Sequence, residues 1–133
     1  MSTCPQVYYC IFLASILTSA IDIQVVHKNY DLEPFDKTVL FLHQVVILYM
    51  VLGLTFTSRS ETLTHLLTGL IVMALWNHNG HCVLSQYMEN SLHYKPEDHH
   101  LIIMDYPVRR RFHLTFFLPI IALDVIKLTL LKT

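Results

Sequence analysis

The stretch that decides the fold is Thr38-Val-Leu-Phe-Leu-His43-Gln44-Val-Val-Ile-Leu-Tyr-Met-Val-Leu-Gly-Leu-Thr-Phe-Thr-Ser58. It carries no Lys, Arg, Asp or Glu. At about 1.5 Å of rise per residue it is long enough to cross a hydrocarbon core about 30 Å thick. An unpaired charge near the bilayer centre costs several kcal/mol, so a charge desert of this length reads as a membrane-spanning helix. Working outward, three more charge-poor stretches appear, and the expected spans are about 7–26, 38–58, 62–79 and 112–131, with a long loop over 80–111. The predicted fold is therefore all-α: a four-helix integral membrane bundle in a single domain, with a short interfacial helix in the third loop.

Composition agrees. The chain has 133 residues, of which 53% are hydrophobic and 14% charged, against about 45–50% apolar and about 25% charged in average soluble domains. The formal charge of −1 gives no general electrostatic reason to bind nucleic acid. A secretory signal peptide would open with basic residues, and Met1 to Gln6 contains none, so the first span reads as retained. Ser58-Arg59-Ser60-Glu61 fits a capping box, which predicts that helix three starts directly after helix two and that the two form an antiparallel hairpin. Basic residues are retained on the cytosolic side of a membrane. Loops one and three hold Lys28, Lys37, Lys95, Arg109, Arg110 and Arg111, whereas Arg59 and Lys132 fall on the other side. The expected orientation places loops one and three in the cytosol and both termini outside or in a lumen. The Arg109-Arg110-Arg111 run is then a topology anchor that can also meet anionic headgroups.

Inside a membrane an ionisable residue must face the bundle interior, and it marks a functional position by default. Asp22, His43, His65 and Asp124 are the four expected to do so. Ser15, Thr18, Ser19 and Asp22 recur at three- to four-residue spacing, which makes one polar stripe on helix one. His43 and Gln44 supply polar groups on helix two. Such residues can line a proton or ion path or a headgroup pocket, or they can simply join helices by hydrogen bonds. Asp124 and Lys127 lie three apart on helix four, where they either neutralise each other or let Lys127 snorkel to the interface.

The third loop opens with ligand-type residues: Trp76-Asn77-His78-Asn79-Gly80-His81-Cys82-Val83-Leu84-Ser85-Gln86-Tyr87-Met88-Glu89. Gly80 is a natural helix stop, and Ser85 can cap a short amphipathic helix lying at the interface. His78, His81, Cys82 and Glu89 form a candidate set for zinc or iron, because imidazole, thiolate and carboxylate all suit those metals. The spacing matches no established metal signature. The rival reading is solvated interfacial histidines. Trp76, Asn77 or Asn79, Cys82, Leu84, Ser85 and Glu89 together resemble a motif in small multi-span membrane proteins of uncharacterised function from bacteria and large DNA viruses. That resemblance implies a shared turn after the third span and carries no activity with it.

Two function classes follow. One is a non-enzymatic membrane protein, either a structural or interaction component or an ion or small-molecule pathway built by oligomers. The other is a small metal-dependent membrane enzyme acting on lipid at the bilayer surface, with the third-loop ligands as its site. The expected partners are the lipid bilayer and either a second copy of the chain or another membrane protein.

Overall fold

The computed structural model describes residues 5–27, 31–79, 87 and 109–131, with 25–27, 79 and 109–116 described by backbone alone. Among the described residues the chain is all-helical: α1 Pro5–His27, α2 Pro34–Leu52, α3 Arg59–Asn79 and α4 Arg109–Leu130, with a 3-10 turn at Gly53–Thr55 and no strand. By length and composition, α1 over Pro5–Gln24 and α2 continuing to Thr55 are apolar enough to cross a membrane, with mean hydropathies of 1.5 and 2.0. The interfacial helix expected in the third loop lies outside the described residues, apart from Tyr87.

The helices begin and end where local chemistry dictates. α2 starts at Pro34, earlier than the charge desert suggested, because proline is pre-organised for the first helical turn. The Asp36 carboxylate also accepts the Glu33 backbone N–H at 3.0 Å. The same helix stops before Ser58, since the backbone tightens into the 3-10 turn at Gly53. α3 then starts at Arg59. The Ser58 hydroxyl accepts the Glu61 backbone N–H at 3.2 Å, as a capping residue should. The reciprocal half of the box differs from the usual one: the Ser58 hydroxyl itself donates to Glu61 Oε2 at 3.0 Å. α4 runs through Pro119 without interruption.

Packing is closest between α1 and α2 and between α3 and α4, while α2 meets the second pair through its last turn and the 3-10 turn. The expected α2–α3 hairpin is thus joined mainly near its bend. One end of the molecule gathers the start of α1, the α2–α3 connection and the end of α4. There the Tyr8 ring packs 5.3 Å from Phe56, its hydroxyl donates to Glu61 at 3.4 Å, and Arg59 donates to the Leu128 and Leu131 carbonyls at 2.9 and 2.7 Å. At the other end Tyr87 lies edge-on to Phe35 at 5.4 Å. Its hydroxyl donates to Asp36 Oδ1 at 3.1 Å, and its ring packs by Val39 and Leu40 beside Leu32 and Ile23.

The apolar core is small. Met50, Trp76, Phe117 and Ile120 form its main cluster. Beside it, Ser15, Ser19, Asp22, Asp36, His43, Gln44, Ser58, Glu61, Thr62, His65 and Asp124 are buried. Large apolar side chains on all four helices face outward, among them Tyr9, Leu13, Leu17, Leu42, Leu67, Ile71, Leu123 and Ile126. This inverts the usual arrangement of a water-soluble domain, in which buried polar groups and broad exposed apolar faces are the exceptions.

Candidate functional site: a buried polar interior

The polar interior has two parts, each built on one of the helix pairs. The first joins α1 to α2. The stripe of Ser15, Ser19 and Asp22 faces inward, with Thr18 half-buried beside it. Its hydroxyls are satisfied by their own helix: Ser15 donates to the Ile11 carbonyl at 2.6 Å, Thr18 to Ala14 at 2.8 Å and Ser19 to Ile16 at 3.1 Å. Such back-bonding satisfies the hydroxyls within α1 itself. Asp22, 1% exposed, accepts a hydrogen bond from the Gln44 side-chain amide. His43, next to Gln44 on α2, is buried too.

The second part joins α2, α3 and α4. His65 Nδ1 lies 2.6 Å from Asp124 Oδ2, and both side chains are fully buried. The other ring nitrogen, Nε2, is 3.1 Å from the Met50 carbonyl in the last turn of α2. The imidazole is walled by Tyr49 and Phe56, edge-on at 5.2 and 5.9 Å. Gly53 completes the niche for a steric reason. Its backbone is ordinary right-handed helix with φ −62°, but a Cβ there would sit 2.3 Å from His65 Cδ2. No side chain larger than hydrogen fits while the ring stays.

This geometry decides against mutual neutralisation of Asp124 and Lys127, one of the two readings for α4. Asp124 and Lys127 do not serve each other: Asp124 takes His65, and the Lys127 ammonium donates to the Leu54 carbonyl at 2.9 Å. The physical reason is the free carbonyl at the tightened end of α2, which offers the lysine an acceptor at the negative pole of that helix. Lys127 therefore caps another helix. Asp124 Oδ1 and Gln44 Oε1 are buried oxygens with no hydrogen-bond partner among the described residues.

Asp22, His43, His65 and Asp124, all singled out from sequence, are thus buried, and two of them meet each other. Gly53, Tyr49 and the Met50 carbonyl, which shape the niche, were not anticipated. A lone glycine inside an otherwise bulky apolar span was the one available signal for Gly53. In the proposed metal set, His78 lies exposed on the last turn of α3, whereas His81, Cys82 and Glu89 lie outside the described residues. Among the described residues no group of three His, Cys, Asp or Glu side chains is arranged to hold a metal ion. Arg109, Arg110 and Arg111 open α4, and their side chains lie outside those described. Cys10 is an exposed free thiol on α1. No family model matches the chain, and no curated protein or solved structure is significantly similar to it.

Proposed function

We propose that the chain is a multi-pass integral membrane protein in which α1 to α4 are four spans, and that it acts as a non-enzymatic structural or interaction component of its membrane. The observation that supports this most is the inversion of polarity. Polar and ionisable side chains are gathered between the helices, and apolar ones cover the outside of all four. In water the outer faces would drive aggregation, and in lipid they are the natural solvent-facing surface. α3 and α4 are less apolar than α1 and α2 but long enough to cross at 21 and 22 residues, and their fully buried ionisable groups, His65 and Asp124, face one another inside. Close packing within the α1–α2 and α3–α4 pairs favours a scaffold over a pore within one chain, because four helices enclose too little interior for a private channel. A conducting role would require several copies around a shared axis.

Loops one and three face the cytosol in this reading, and both termini lie on the opposite side, as the Lys and Arg distribution indicates. The test is alkaline carbonate extraction of membranes from expressing cells, combined with reporters at each terminus. Retention in the pellet with both reporters on the non-cytosolic side is expected. Release into the supernatant would overturn the membrane reading, and termini on opposite sides would overturn four spans. The alternative, a metal-dependent enzyme built on His78, His81, Cys82 and Glu89, is tested by elemental analysis of detergent-purified protein. About one equivalent of zinc or iron that is lost in a His78→Ala/His81→Ala variant would replace the scaffold reading with it.

A further inference from the structure

Each nitrogen of the buried His65 ring faces an oxygen, and those two oxygens differ in what they can do. The Met50 carbonyl accepts a hydrogen bond but cannot take a proton, so Nε2 must carry hydrogen and donate. With Nε2 protonated, the 2.6 Å contact between Nδ1 and Asp124 Oδ2 needs one further hydrogen between them. That hydrogen sits on nitrogen, giving an imidazolium beside a carboxylate, or on oxygen, giving a neutral imidazole beside a carboxylic acid. Moving it breaks one N–H bond and forms one O–H bond, with no change in the total charge of the pair. Without it, a lone pair on nitrogen would face a carboxylate in a niche from which water is excluded, and that contact is repulsive.

We propose that His65 and Asp124 hold one shared proton between Nδ1 and Oδ2, and that the pair is a terminus for protons and not a step in a conducting chain. A relay through imidazole needs both nitrogens to face groups able to exchange protons. Nε2 does not, because it is closed by an amide carbonyl. The remaining atom of the pair is Asp124 Oδ1, buried and without a partner among the described residues. The other ionisable groups packed around the pair are already committed. Tyr49 on α2 is hydrogen-bonded to Thr68, Glu61 on α3 holds Ser58 and Tyr8, and Lys127 on α4 caps Leu54. Bound in this place, the proton fastens α3 to α4, while the separate Nε2 hydrogen ties the same ring to α2 through Met50.

The proposal extends the scaffold reading by giving its interior a ligand, and it rests on the niche geometry alone. It is therefore testable separately from the number of spans. The experiment uses the full chain in lipid nanodiscs with 15N-labelled histidine. For His65, assigned by its loss in His65→Gln, Nε2 bears hydrogen, and one strongly deshielded, slowly exchanging proton couples to the Nδ1–Asp124 contact. In Asp124→Asn the amide can donate to Nδ1 but carries no acidic proton, so the deshielded signal vanishes while Nε2–H remains. A wild-type His65 with a bare Nε2, or with no deshielded proton, overturns the proposal, as does a signal unchanged in Asp124→Asn. Decay of a pH gradient across proteoliposomes is the second readout. Equal decay in wild type and His65→Gln is expected of a terminus, and a tenfold slower decay in the variant would show conduction and overturn it.

Discussion

Gly53 and His65 occupy one volume between them, and the consequence is measurable. Gly53→Ala drives a methyl group into the imidazole at 2.3 Å, against a ring held at both nitrogens. A cost of about 1–3 kcal/mol is expected, the usual range for overpacking a filled site. Gly69→Ala is the control: its Cβ would meet Met50 Cε at 2.9 Å, the far end of a flexible side chain. Unfolding in mixed micelles should place Gly53→Ala clearly below Gly69→Ala, and equal stabilities would show that the ring gives way. On the other side of the bundle, Gln44→Leu removes the amide donor from the Asp22 carboxylate and should destabilise by about 1–3 kcal/mol. Replacing both residues with leucine should cost less than the sum of the two single changes, because no buried carboxylate remains. Sequence could single out Asp22, His65 and Asp124 as costly in a span, since that follows from residue type and position. It could not choose partners. His65 and Asp124 are separated by 59 positions, and Lys127 lay much nearer to Asp124 along the chain.

At the scale of elements, the two helix C-terminal ends at the crowded pole are each finished by a side chain from elsewhere. Arg59, at the start of α3, closes the end of α4 through two carbonyls, and Lys127 of α4 closes the turn after α2. Arg59→Ala should leave the last turn of α4 without these donors. Amide hydrogen exchange is then expected to rise over 127–131 with little change elsewhere, and a rise spread evenly over all four helices would contradict the assignment. Ser58→Ala removes the cap of α3 and should cost about 1 kcal/mol. That cap was legible because Ser and Glu three apart write a local rule. The true start of α2 was not, because Asp36 and Lys37 look like loop charges until the Asp36 carboxylate is seen turned back onto the Glu33 N–H. Likewise Arg59 and Lys127 read as topology or interface charges, since a count of charges holds no information about which carbonyl is within reach.

For the molecule as a whole, the charge deserts carried the number and approximate positions of the helices, because the cost of charge in lipid acts on each span separately. Which pairs pack most closely was hidden, since that depends on the rotation of each helix about its own axis. The inversion of polarity makes a prediction at this scale. Leu17→Arg and Leu67→Arg place a charge on outward faces of α1 and α3 and should lower membrane integration, as measured by glycosylation of a terminal reporter. The same charge introduced at the exposed N-terminal turn of α2, as Thr38→Arg, should be tolerated. Equal integration of all three would argue against lipid around the outer faces.

The crowded pole, with Arg59 and Lys127 reaching across to foreign carbonyls and Tyr8 tied to Glu61, behaves as the pivot of a clothes-peg. Spreading the helices there would bare several carbonyls and two cations at once. At the far end the described contacts are mostly apolar: the Trp76–Phe117 ring pair and the cluster around Val39 and Leu40, with the Tyr87–Asp36 hydroxyl bond beside them. Parting the helices at the Tyr87 end strands no cation, so breathing of the bundle is expected there before it is at the pole.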